Sequence, residues 1–178
     1  MRVGVMGFSR GGVSALYSGL NRFQKMHGPS TGLQFATHIG MYATCSTKYR
    51  EDDDISKPIR LLHGTADDWV PIAPCRAFAD RLAKAGKDVQ LIEYADAHHV
   101  FDAPAFKTPL KLPAPATTRR CLTTEGDGGV VLNDDTKQPF GWGDACVEKG
   151  VTVAYQEAAS NQSRLYVRDF LKQIFALK

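Results

Sequence analysis

After Met1 the chain opens on Arg2-Val3-Gly4-Val5-Met6, a short β-branched run, and passes straight into Gly7-Phe8-Ser9-Arg10-Gly11-Gly12. A helical stripe follows, with apolar residues at 13, 16, 17, 20 and 23. A strand that turns into a helix within a few residues leaves few folds open. The turn must be sharp, and the helix must lie back across a sheet that contains the strand. Such a turn holds its serine in a strained backbone conformation and raises the hydroxyl above the carboxyl edge of a parallel sheet. Side chains two residues before and two after the serine are expected to clash there. Gly7 and Gly11 avoid this, and Gly12 lets the helix lie close to the strand. The Arg10 amide then points toward a carbonyl oxygen that would gain charge, as one donor of an oxyanion hole. The plainer alternative is a tight turn with an incidental serine.

The rest of the chain keeps the alternation that this turn demands. Apolar runs at 2–7, 35–42, 59–63 and 89–94 read as buried strands. Helical patterns fall at 13–24, at 73–85 with Gly86 as its stop, and at 158–177. Strands alternating with helices predict an α/β fold, a parallel sheet of about four strands with right-handed crossovers. Two stretches depart from it. Residues 46–58 form a polar loop whose run Glu51-Asp52-Asp53-Asp54 reads as solvated surface. Residues 103–150 carry prolines at 104, 109, 113 and 115, then a hairpin in which 122–125 and 130–132 flank Gly126-Asp127-Gly128-Gly129. This segment is expected to be a substrate-facing lid or decoration.

At 178 residues the chain suits one domain, 1–178, with a real core. Its 22 basic residues are scattered and its net charge is only +3, which gives no electrostatic case for nucleic acid or membrane partners. No apolar run approaches the roughly 20 residues that span a bilayer. The chain opens directly on a core strand, so an export leader is not expected within it. The cysteines are Cys45, Cys75, Cys121 and Cys146, none in a C-x-x-C spacing, so no zinc or other metal site is expected. Their even number and placement point to two bridges, Cys45–Cys75 and Cys121–Cys146. Four reduced buried thiols are the alternative.

A serine hydroxyl is a poor nucleophile until a base takes its proton and a third group orients that base. Both partners are expected at the ends of later strands, the acid before the histidine. His63-Gly64-Thr65-Ala66-Asp67-Asp68-Trp69-Val70-Pro71 follows the strand at 59–63, and Asp96-Ala97-His98-His99-Val100-Phe101 follows the strand at 89–94. Each block offers a pair: Asp67 or Asp68 as the acid, His98 or His99 as the base. Phe8, Trp69, Phe101 and Trp142 are candidate pocket walls, with ordinary packing as the alternative.

These three blocks resemble the dienelactone hydrolase family of α/β-hydrolases. There the acid lies in a pattern like H-G-x-x-D-x-x-V-P and the histidine in one like A-x-H-x-F. The resemblance covers residues 2 to about 102 and resumes in the last helix. It implies Asp67 as the acid, with Val70 and Pro71 closing its motif, and His99 as the base between Ala97 and Phe101. It also implies acyl transfer without a cofactor, on a small ester or lactone. Enzymes that open dienelactones carry cysteine at the nucleophile; Ser9 stands here, which favours a more general ester or lactone substrate. The Asp67-Asp68-Trp69 run and the paired cysteines are similar to those of exported members, which favours the two bridges and an exported protein.

In that family the nucleophile follows the fifth strand of an eight-stranded sheet, and the second oxyanion donor comes from a loop after the third. The chain is therefore expected to be the carboxyl-terminal half of a larger hydrolase, lacking the amino-terminal strands. The rival expectation is a small hydrolase that completes its sheet as a homodimer through the strand at 2–7. Two other functional readings stand beside the esterase: a peptidase fragment of the prolyl oligopeptidase type, and a non-catalytic remnant or interaction module.

Overall fold

Four parallel strands form the centre of the protein, in a computed structural model that describes residues 3–177. They are β1 (Val5–Phe8), β2 (His38–Met41), β4 (Ile59–Gly64) and β5 (Val89–Tyr94), side by side in the order β1-β2-β4-β5. The two inner strands are buried along their whole length, as a parallel sheet covered on both faces requires. The strand expected at 2–7 is thus Val5–Phe8, with Arg2 outside the described residues, and the run at 35–42 is strand only in its second half.

Alternation along β4 sorts the core into two layers. Ile59 and Leu61 pack with Leu16, Tyr17 and Leu20, and with Phe78 and Leu82 of α3 (Ala73–Lys84). Leu62 points the other way, with Ile39 and Met41 of β2, Phe101, and Phe170 of α4 (Glu157–Phe175). Arg60 shares that second face. Its guanidinium lies over the Phe170 ring at 4.4 Å and pairs with Asp88 at 2.7 Å, so its stem packs while its charge is met.

The helix expected at 13–24 is two helices, α1 (Arg10–Tyr17) and α2 (Asn21–His27). The hydroxyl of Ser18 donates to the Ala15 carbonyl at 2.9 Å, and Gly19 lies where a side chain would crowd Ile59. The apolar stripe continues across the break because Leu20 is still buried, so periodicity alone could not reveal it. The charge run at 51–54 is only partly solvated. Asp52 is buried and pairs with Arg81 of α3 at 2.7 Å.

The long segment before α4 is a folded ribbon. Its arms, β6 (Leu110–Thr117) and β9 (Glu148–Val153), pair antiparallel. Within it the hairpin β7 (Thr123–Glu125) and β8 (Val131–Asn133) joins the two-residue strand β3 (Thr47–Lys48). Cys121 and Cys146 are bonded across the neck of this ribbon, and Cys45 and Cys75 are bonded between the end of β2 and the start of α3.

Candidate active site

The carboxyl ends of β1, β4 and β5 meet at one sheet edge. Ser9 follows β1 at φ 51° and ψ −117°, a conformation that L residues rarely hold. Its own N–H donates to the Met41 carbonyl at 2.9 Å and its carbonyl accepts from Val13 at 3.0 Å, which pins the turn from both sides. A side chain on Gly7 would meet the Gly11 carbonyl oxygen at 1.9 Å, so only glycine fits. Gly11 behaves otherwise than expected: a Cβ there would meet nothing within 4 Å. Gly12 does lie close to β2, where a Cβ would approach the Met41 carbonyl oxygen at 2.9 Å.

Gly64, the last residue of β4, brings the other two loops together. A Cβ on it would fall 2.1 Å from the Ala97 carbonyl oxygen. The loops are then tied by Ala66 N–H to Ala97 O at 3.0 Å and Asp96 N–H to Thr65 Oγ1 at 2.9 Å. The result is an unbroken line of polar atoms. His99 Nε2 lies 3.0 Å from Ser9 Oγ, and His99 Nδ1 lies 2.8 Å from Asp67 Oδ2. With the Nδ1 proton directed at the carboxylate, Nε2 is free to accept from the serine hydroxyl.

Asp67 is buried, and its other oxygen, Oδ1, accepts the N–H groups of Trp69 at 3.0 Å and Val70 at 2.8 Å. Burial opposes its ionisation, but the N–H of His63 and the hydrogen bond from His99 outweigh it. The carboxyl is held down to about 2. Of these two histidines, His99 is the direct donor. His63 Nε2 bonds the Val70 carbonyl at 2.8 Å and stands 3.5 Å from Asp67 Oδ2.

Asp68 is turned away. Its carboxylate accepts Thr152 N–H at 2.7 Å and Thr152 Oγ1–H at 2.9 Å, fastening β9 to the acid loop. His98 points elsewhere as well, with its Nδ1 buried and without a partner among the described residues. Four groups missed in the sequence complete the frame. Tyr42 packs edge-on to His99, ring centres 4.7 Å apart, and donates to Asp102 at 2.9 Å; burial and that carboxylate push its phenol well up. Its place at a strand end was the available signal. Thr117 donates to the Trp69 carbonyl at 2.6 Å. Arg119 spans the Asp68 and Gly150 carbonyls and the Glu148 carboxylate. Ala154 N–H reaches the His99 carbonyl at 3.3 Å. The last three come from the 103–150 ribbon and its continuation, where no sequence motif marks them.

The expected pocket walls divide. Trp69 and Trp142 line a cavity of about 350 Å³ beside Ser9 and Arg10. Phe101 does not, because it is fully buried against Tyr42 and Tyr94. Phe8 faces another groove, with Met6 and Val167. The Arg10 N–H begins α1 and has no acceptor among the described residues.

The model of the dienelactone hydrolase family matches residues 1–114, more than half the chain. The chain belongs to that family. No curated protein matches it. Among solved structures, a Klebsiella pneumoniae protein assigned to the dienelactone hydrolases aligns over 94% of this chain and 50% of its own, at 15% identity and TM-score 0.53. That likeness is one of fold. Esterase PE8 aligns over 56% of this chain and 43% of its own, at 24% identity and TM-score 0.41. Apo esterase 2 of Thermogutta terrifontis aligns over 54% and 45%, at 22% identity and TM-score 0.43. The chain therefore spans half or less of the length of these solved relatives. The four-stranded parallel sheet of this dienelactone hydrolase family member matches part of an α/β-hydrolase fold, and the family match ends inside β6. The ribbon that frames its site lies almost wholly beyond that match.

Proposed function

We propose that the protein hydrolyses esters or lactones of small molecules by two-step acyl transfer. His99 Nε2 takes the proton of Ser9 as Oγ attacks the carbonyl carbon. The tetrahedral oxyanion is met by the Arg10 N–H, and collapse expels the alcohol, which receives the proton from His99. Water, deprotonated by the same imidazole, attacks the acyl-serine, and the acid leaves as Ser9 regains its proton. Asp67 keeps the imidazole in the required tautomer and offsets its positive charge. These steps use side chains, a backbone amide and water alone.

The observation that carries this reading is the continuous Ser9–His99–Asp67 line of 3.0 and 2.8 Å contacts, with Ser9 in its strained turn. Membership of the dienelactone hydrolase family supports it. Two disulfides support an exported protein, since such bonds persist in oxidising compartments.

A fluorophosphonate probe tests the nucleophile. The folded chain should be labelled on Ser9, and Ser9→Ala should abolish labelling and the turnover of p-nitrophenyl acetate together. Folded protein that takes no label and turns over no ester would overturn the proposal and favour a non-catalytic product.

A further inference from the structure

The cavity beside Ser9 has an unusual wall. Trp69 approaches from the acid loop, while Ala116, Val131, Phe140 and Trp142 approach from the ribbon. Trp69 is held at three points. Its indole N–H donates to the Ala116 carbonyl at 3.2 Å, its own carbonyl accepts from Thr117, and its N–H meets Asp67. Its ring lies 5.0 Å from that of His99. Across the cavity Phe140 and Trp142 meet edge to face at 6.1 Å.

Trp142 is 63% exposed, yet the loop that carries it is fixed. The Cys121–Cys146 bridge closes that loop, and Asn133 bonds Asp144 at 2.7 Å within it. A large apolar ring kept in water by a rigid loop is an open contact surface. Among the described residues no carboxylate lines the cavity, and Arg10 is the only charged one that does. The Arg10 guanidinium has no ion-pair partner among the described residues.

Resting on the esterase reading above, we infer that this cavity is an aryl slot, and that the preferred substrates are neutral or anionic esters with a planar aromatic ring next to the scissile bond. Trp69 provides the fixed face, and Phe140 and Trp142 provide the specificity-determining wall. The ring is held by stacking and edge contacts, and a cationic substituent is disfavoured by Arg10.

The chain has two tryptophans, Trp69 and Trp142, and both line this cavity, so intrinsic tryptophan emission reports on it alone. Titration of Ser9→Ala protein with benzyl acetate (ring on the alcohol side) or methyl phenylacetate (ring on the acyl side) should change that emission saturably. Butyl acetate and methyl hexanoate should saturate only at much higher concentration. Which aryl ester binds more tightly assigns the slot to the alcohol or the acyl side. In the active protein, Trp142→Ala should lower the aryl-over-alkyl ratio of kcat/KM by roughly fivefold to tenfold, mainly through KM, as expected for one lost aromatic contact.

Emission that responds equally to alkyl and aryl esters, or to neither, would overturn the aryl slot whether or not the chain is active. So would an unchanged aryl-over-alkyl ratio in both Trp142→Ala and Phe140→Ala. Hydrolysis of no ester at all, with aryl binding intact, would instead overturn the esterase reading and leave the slot standing as a binding site.

Discussion

At the scale of single residues, two adjacent aspartates do different work. Asp67 Oδ2 faces His99 Nδ1 at 2.8 Å, and both oxygens of Asp68 face Thr152. Asp67→Asn should therefore lower ester turnover by about four orders of magnitude, the scale seen when a triad acid becomes an amide and the imidazole takes the wrong tautomer. Asp68→Asn keeps one acceptor toward Thr152. It should lower unfolding free energy by about 1 kcal/mol, with turnover reduced less than about tenfold. Steady-state kinetics and urea denaturation of the two variants check the pair, and a reversed ranking would exchange their roles. The spacing of the two blocks already placed an acid and a histidine at this edge, and the family motif singled out Asp67 and His99. It could not show Tyr42 beneath the imidazole or Arg119 across the acid loop. Those contacts depend on where β2 and the ribbon end in space, and nothing local in the chain encodes that.

At the scale of elements, the strand-turn-helix of the opening was legible because its glycines have a steric cause, though the cause is not shared equally. A Cβ on Gly7 would fall 1.9 Å from the Gly11 carbonyl oxygen, whereas one on Gly11 would meet nothing within 4 Å. Gly7→Ala should cost roughly 3 kcal/mol or more, since the backbone oxygen it meets cannot move without unwinding α1. Gly11→Ala, in the first turn of a helix, should be neutral or stabilise by about 0.5 kcal/mol. Thermal melts of both variants decide it; equal losses would restore a steric need at Gly11. The four strands were legible as short apolar runs, although only the inner pair, β2 and β4, is buried along its whole length. The ribbon was only half legible. Its hairpin carries turn glycines at 126, 128 and 129, but β6 and β9 are separated by 30 residues and alternate only over three residues each, Leu110-Lys111-Leu112 and Val151-Thr152-Val153. Their pairing is decided by the Cys121–Cys146 bond and by Arg119, both long-range contacts.

At the scale of the whole molecule, β1 ends the sheet among the described residues, and its outer edge is unpaired. Apolar grooves flank it, one of about 740 Å³ along Val3, Phe23 and Phe35 and one of about 410 Å³ along Met6, Phe8 and Val167; neither touches Ser9, Asp67 or His99. An edge with exposed Val3, Met6 and Phe8 invites another strand. Under the rival expectation of a homodimer, the occupant is the β1 of a second copy, antiparallel across a two-fold axis, because one patch then covers itself. Light scattering across a dilution series should show a dimer that Met6→Lys converts to monomer; a monomer at every concentration would remove this pairing. Acid stability is a second property of the whole fold that the site helps to set. Asp67 binds its proton near 2 when folded and near 3.8 when unfolded, so the unfolded chain takes up the proton first as pH falls. Its contribution, about 2 kcal/mol, is present in full above pH 3.8, shrinks between 3.8 and 2, and is absent below 2. Asp67→Asn lacks that ionisation. Its deficit in unfolding free energy against the parent protein should be largest at neutral pH and should narrow as urea titrations move from pH 5 to pH 3. The difference between the two proteins isolates Asp67 from other acid-sensitive pairs such as Glu125 with Arg22. A deficit that stays constant with pH would mean that Asp67 supports the fold through shape and hydrogen bonding, with its charge reserved for the imidazole.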